Sequence, residues 1–127
     1  RALLLVPDNQ LATSKARKLL PETISHQDAV LNSSRSALLV HALAERPDLL
    51  FTATGDLLHQ KYREPAMPKT IALVEKLRGA GLAAVVSGAG PSVMVLYAGS
   101  EDEIDQVASL APGFTAMKLA VAKAGVQ

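Results

Sequence analysis

The chain has 127 residues, 49% of them hydrophobic and 20% charged, which is enough apolar material for one folded domain with a core and excludes a disordered or fibrous chain. The formal net charge is +1 and no Lys/Arg cluster is interleaved with aromatics, so nucleic acid is not expected as a partner. The absence of cysteine removes disulfides and thiolate metal sites, and no apolar stretch approaches a membrane span, which suits a cytoplasmic protein away from membranes.

The chain begins without Met or a signal-like segment, directly in an apolar run, as if cut from a longer protein with an N-terminal half. That run, Ala2 to Val6 before Pro7, has the continuous hydrophobicity of a strand buried on both faces and is expected at the centre of a sheet. Pro7-Asp8-Asn9-Gln10 breaks it. Thr13 or Ser14 then caps a short helix over Ala16 to Leu20, stopped by Pro21. Ser25 and Asp28 form a capping-box-like start for a longer helix through about Ala44. Leu31, Leu38 and Ala42 share a face of it, and Val30, Ala37 and Leu39 widen that stripe toward the core. Asp28, Asn32 and Arg35, spaced by four and three residues, line up on the opposite stripe. From spacing alone, a solvated face with an intrahelical pair is favoured over a binding role.

Arg46-Pro47-Asp48 ends this helix, and Asp48 is expected to cap another that buries Leu50, Ala53, Leu57 and Leu58 and stops before Pro65. His59, Lys61, Tyr62 and Arg63 crowd its last turn, where cations complement the carbonyl end of the helix dipole. Pro65-Ala66-Met67-Pro68 reads as a linker, with Met67 as linker or core filler. Ile71, Leu73, Val74 and Leu77 mark the next helix, ended by Gly79 and Gly81.

Two apolar runs, Leu82 to Val86 and Val93 to Ala98, read as strands that clamp the turn Ser87-Gly88-Ala89-Gly90-Pro91-Ser92. Two glycines one residue apart allow backbone N–H groups to approach an anion or substrate closely, while glycine, proline and serine are also ordinary turn formers. Ser100-Glu101-Asp102-Glu103 is a capping box ahead of Ile104, Val107, Ala108 and Ala111. After Pro112-Gly113, a final strand runs from Phe114 to Val121, with Met117, Leu119 and Val121 on one face and Lys118 on the other, and the tail after Ala122 is loose. With no internal linker, residues 1–127 make one domain. Strand, several helices, strand, strand, helix, strand is the order of an α+β, ferredoxin-like split βαβ fold of about four strands, with extra helices in the first crossover.

The conventional catalytic sets are missing: no HExxH, CxxC, GxSxG, Walker A or GxGxxG occurs, no carboxylate pair stands out, and His26, His41 and His59 are scattered. No catalytic residue and no metal ligand is therefore assigned.

Ser87-Gly88-Ala89-Gly90-Pro91-Ser92 resembles the third conserved motif of the GHMP family of small-molecule kinases. Three further stretches resemble the homoserine kinase branch of that family: Val6-Pro7 followed by Leu11 to Pro21, the Asn-x-x-Arg helix at Asn32 to Leu39, and the second arginine segment His59 to Arg63 with Pro65 and Pro68. The resemblance runs from residue 3 to about residue 98. It implies the acceptor-side, C-terminal domain of an enzyme that moves the γ-phosphate of ATP to the side-chain hydroxyl of homoserine, with Mg²⁺, in threonine biosynthesis. It also implies Arg35 and Arg63 as ligands of the substrate carboxylate, with Asn32 as support. No stretch matches the nucleotide-phosphate loop or the Mg²⁺ carboxylate of the family's N-terminal half, so ATP and Mg²⁺ are expected to be held mainly by that half, and this chain alone to be inactive. The partners implied are homoserine and that N-terminal half, with a homodimer left open. Two alternatives stay open: another GHMP kinase with a different alcohol acceptor, and a free-standing ferredoxin-like ligand-binding module.

Overall fold

Ala2–Pro7 forms strand β1, the pivot of a four-stranded sheet that also contains β2 (Ala83–Val86), β3 (Val93–Leu96) and β4 (Phe114–Leu119), in the order β2-β3-β1-β4. The computed structural model describes residues 1–9 and 11–121. Every neighbouring pair is antiparallel, so β1 and β2 run the same way with β3 between them. This is the split βαβ arrangement expected from the element order. β1 is central, as its unbroken hydrophobicity implies. The tail after Ala122, expected to be loose, lies outside the described residues, and β4 stops at Leu119, short of Val121.

Register decides which residues are buried. Leu3 stands opposite Val95 and Lys118, Leu5 opposite Val93 and Ala116, and Ala84 opposite Val95, so these share one face. Two helices, α5 (Pro68–Gly79) and α6 (Glu101–Ser109) in the numbering used below, cover that face. Leu3, Leu5, Leu77, Val93, Val95 and Ile104 are almost fully buried between them. Burying each such side chain contributes about 1.5 to 3 kcal/mol. The capping box at α6 is complete: Glu103 N–H donates to Ser100 Oγ, and Ser100 N–H donates to Glu103 Oε2 at 2.8 Å. Lys118 reaches Glu101 and Asp105 of α6 at 3.2 and 2.8 Å. Met117 and Leu119 point to the other face, as the alternation predicts, and are exposed.

The first crossover differs most from expectation. The short helix α1 spans Thr13–Lys18 and starts from Ala12 with no side-chain cap, so Thr13 and Ser14 are inside its first turn rather than before it. The longer helix α2 spans His26–Ala44, with Ser25 Oγ accepting from Asp28 N–H at 3.0 Å, as the capping pattern requires. Its buried stripe is only part of the predicted one. Ala42 is buried, and Leu38 and Leu39 pack with Leu50, Ala53 and Ala83, but Val30, Leu31 and Ala37 are exposed. Only the C-terminal half of α2 meets the sheet and the helix after it. The N-terminal half turns Asn32 and Arg35 inward, both half-buried, so the polar trio continues the inward stripe rather than opposing it.

The single helix expected from Asp48 to Pro65 is broken. A 3₁₀ turn at Pro47–Leu49 leads into α3 (Leu50–Ala53), and a second short helix, α4, spans Gln60–Arg63. Asp48 does not cap; its carboxylate pairs with Arg46, 2.7 Å away. The break follows from Thr54-Gly55-Asp56. Thr54 turns its hydroxyl back onto the Leu50 carbonyl at 2.7 Å, Gly55 is a poor helix residue, and Asp56 favours a helix start over a helix interior. Leu57 and Leu58 therefore lie off the helix. Met67 is buried against Ala16 and Ile71, which makes it core, and α5 ends before Gly81 at φ +82.

Candidate functional site

The site is assembled where α4 meets the end of β2. Both oxygens of Asp56 are used: Oδ2 accepts from His59 N–H at 2.9 Å and Gln60 N–H at 2.6 Å, and Oδ1 from Leu58 N–H at 3.3 Å, with the His59 ring Nδ1 at 3.0 Å. Burial of this carboxylate, whose side chain is 17% exposed, works to raise its pKa. The Gln60 N–H, the His59 ring and the His59 N–H outweigh burial and hold it below the ordinary carboxylate range. One turn on, Gln60 Oε1 accepts from Val86 N–H at 2.6 Å.

Arg63 is not a surface cation complementing a helix end. It is only 8% exposed, its Nη1 donates to the Gly88 carbonyl at 2.9 Å, and its buried Nε has no partner among the described residues. A buried donor without an acceptor costs about 1 to 3 kcal/mol. Asp56, His59, Gln60, Arg63, Val86 and Gly88 line a cavity of about 200 Å³ at this point.

The glycine turn closes through Ser87 N–H to Ser92 O at 2.8 Å and Gly90 N–H to Ser87 O at 3.0 Å. Its two glycines do different work. Both have positive φ, +59° at Gly88 and +88° at Gly90. A Cβ on Gly90 would stand 2.7 Å from Met67 Sδ and Cε, whereas one on Gly88 would meet nothing within 4 Å. Gly90 serves packing, and Gly88 presents an open face beside Arg63. Pro91 O is held by the buried Thr70 hydroxyl at 2.7 Å.

Arg35 opens into a neighbouring cavity of about 300 Å³, lined also by Gly55, Asp56, Gln60 and Arg78. Its guanidinium lies on the Gly55 backbone, where a Cβ would come within 2.9 Å of Cζ. Arg78, which the sequence reading passed over, donates to Phe51 O at 2.8 Å, Thr54 Oγ1 at 3.1 Å and Ala84 O at 3.2 Å. Burial, and then the charge of Arg35, lower its pKa. Asn32 Oδ1 accepts from Leu57 N–H at 2.9 Å and so ties α2 to the loop that carries Asp56. Arg35 and Arg63 thus face adjacent cavities whose common wall is Asp56 and Gln60, while Asn32 braces that wall from behind. Among the described residues, no group of three or more His, Asp or Glu side chains could hold a metal ion, and no helix is long and apolar enough to cross a membrane.

Residues 34–111 match the family model described as GHMP kinases C terminal. The chain belongs to the GHMP kinase C-terminal family. The match contains Arg35, the Asp56–Arg63 segment and the glycine turn of this GHMP domain. The homoserine kinase of Streptomyces coelicolor is 53% identical over 109 residues, which cover 86% of this chain and 35% of that protein. That of Streptomyces avermitilis is 50% identical over 120 residues, covering 94% of this chain and 39% of that protein. A crystal structure of homoserine kinase from Cytophaga hutchinsonii has the same fold, with a TM-score of 0.78 at 22% identity over 91% of this GHMP domain and 39% of that chain. The domain therefore spans little more than a third of the length of the relatives it matches.

Proposed function

We propose that this GHMP domain is the acceptor-side part of a homoserine kinase, residues 1–127 holding the amino-acid substrate while an N-terminal part holds ATP. The observation that carries the reading is Arg63, a buried guanidinium whose Nε has no partner among the described residues, facing a small cavity beside the exposed backbone of Gly88. Such a group favours an anion that completes its hydrogen bonds, and a planar guanidinium suits a carboxylate. The names of the relatives supply the acceptor, homoserine, whose phosphorylation is a step toward threonine. Arg35 adds a second positive charge from the adjacent cavity, and Asn32 supports both by fixing the Leu57 backbone. ATP supplies the transferred phosphoryl group. The side chains gathered here are mostly cations and amides, with two carboxylates, the saturated Asp56 and Glu75 of the Arg35 cavity, and among the described residues no group of three His, Asp or Glu could hold a metal ion, so no metal-held step is assigned to this domain.

The contribution of these residues is positional. Phosphoryl transfer depends mostly on alignment and charge stabilisation, so fixing the carboxylate of a short amino acid fixes where its hydroxyl stands. The isolated domain is expected to be inactive, and the full-length protein to form ADP with L-homoserine at about 1 s⁻¹ or faster. The test compares L-homoserine with 3-aminopropan-1-ol, the same amino alcohol without the carboxylate, in the full-length protein. Loss of turnover with the truncated acceptor supports the reading. Equal turnover of both, or robust ADP formation by residues 1–127 alone, overturns it.

A further inference from the structure

We propose that Asp56 and Gln60 are positioning residues that lock the Arg63 segment to the end of β2 and so set the gap between the Arg63 guanidinium and the glycine turn before substrate arrives. The inference rests on the reading of Arg63 as the carboxylate ligand and assigns how that ligand is aimed. Helix α4 has four residues, far fewer than a helix needs to persist on its own propensity. Its orientation must therefore come from side chains outside it or pointing away from it. Asp56 supplies the N-terminal half of that restraint by taking up the N–H groups of Leu58, His59 and Gln60 together with the His59 ring. Gln60 supplies the other half.

Residues three apart on a helix share a face, and here that face is stitched to the chain entering the turn at two points. Gln60 Oε1 takes the Val86 N–H, on an edge strand of the sheet, and Arg63 Nη1 reaches the Gly88 carbonyl two residues further on. Loss of the first bond leaves the second, among the described residues, as the one hydrogen bond between α4 and the segment running from β2 into the glycine turn, and Arg63 would then pivot about it. Asp56 and Gln60 also line both the Arg35 and the Arg63 cavities, so a shift of this wall changes both. Neither residue needs to touch the substrate for this effect.

Misaiming the ligand weakens the carboxylate contact and misplaces the hydroxyl together, so the loss is read in kcat/KM for homoserine, with KM for ATP as the control that a general loss of fold would move. The experiment measures Gln60→Leu, which has no acceptor for Val86 N–H, in the full-length protein with Arg63 present and in an Arg63→Met background. Gln60→Leu should lower kcat/KM for homoserine by about 10- to 100-fold, with KM for ATP within about threefold of the parent, and should cost no more than about threefold further once Arg63 is replaced. Asp56→Ala should follow Gln60→Leu; should it fail to fold, the Gln60 and Arg63 cycle still decides. Equal kcat/KM in Gln60→Leu and the parent, or an undiminished loss in the Arg63→Met background, overturns the positioning role. A parent protein that ignores homoserine overturns the proposed function as well, whereas normal parental turnover with an unchanged Gln60→Leu overturns this inference alone.

Discussion

Replacing Arg63 by Met in the full-length protein should separate binding from stability, and the structure sets the sign of each effect. Arg63 is 8% exposed, and among the described residues its guanidinium makes one hydrogen bond, to the Gly88 carbonyl, and its buried Nε has no partner. Without ligand it is a poorly compensated charge taken out of water, and an apolar side chain of similar length is often neutral or stabilising at such a place. Gly88 itself is exposed, so water can take over its carbonyl. The ligand-free Tm should therefore be unchanged or a few degrees higher, because about 1 kcal/mol corresponds to roughly 2 to 4 °C in a protein larger than a small domain. Binding should respond oppositely. Removing a desolvated charge-assisted contact costs about 2 to 4 kcal/mol, or about 30- to 1000-fold in kcat/KM for homoserine. Arg63→Lys should recover only part of this, since a point charge cannot reproduce the planar fork. Calorimetric Tm with and without homoserine gives a check independent of turnover: homoserine at 100 times the parent's Kd should stabilise the parent by about 2.7 kcal/mol and Arg63→Met by less than about 1 kcal/mol. A Tm that falls by more than about 4 °C while kcat/KM stays within threefold would show Arg63 to be a structural tie to the glycine turn, and the reasoning would be wrong.

Three further outcomes follow from the same geometry. Gly90→Ala should destabilise the fold by about 1 to 3 kcal/mol in chemical denaturation, because Met67 must move and φ is +88°; an unchanged midpoint would mean the Met67 side chain yields freely. Gly88→Ala meets no atom within 4 Å, so its stability loss should be confined to about 1 kcal/mol of left-handed strain, and a larger loss in kcat/KM than this strain explains would mark close approach of substrate to its backbone. Asp56 has a folded-state pKa below its unfolded one, so it contributes stability that is present above the unfolded value near 3.9 and is lost as pH falls through the folded value. Asp56→Ala should accordingly flatten the acid limb of a Tm-against-pH curve below about pH 4, and an acid limb as steep as the parent's would remove Asp56 from its cause.

Much of this domain was legible because its determinants are local. The unbroken apolar run Ala2–Val6, the glycine stop after Leu77 and the capping box at Ser100 act within a few residues of themselves, and each stands where the sequence places it. So does the glycine turn, where Gly88 and Gly90 supply two positive-φ positions between two apolar runs. The sequence by itself thus determined the order of the elements, and with it the split βαβ topology, because few antiparallel arrangements bury β1 on both sides. What it did not determine is which face of α2 turns inward and where the second crossover helix breaks. Val30 and Leu31 look like core by periodicity, yet the sheet meets only the other end of α2, and a periodicity carries no information about where a neighbour stops. Arg63 to Gly88 and Gln60 to Val86 join residues 25 and 26 apart in sequence, and Asn32 to Leu57 spans another 25. Bonds at that separation leave no spacing signal along the chain; they exist only once packing of α5 and β2 has brought the break at Thr54-Gly55 beside the turn, which is why the tertiary structure alone decided that Arg63 is buried and that Arg35 and Arg63 open into separate cavities.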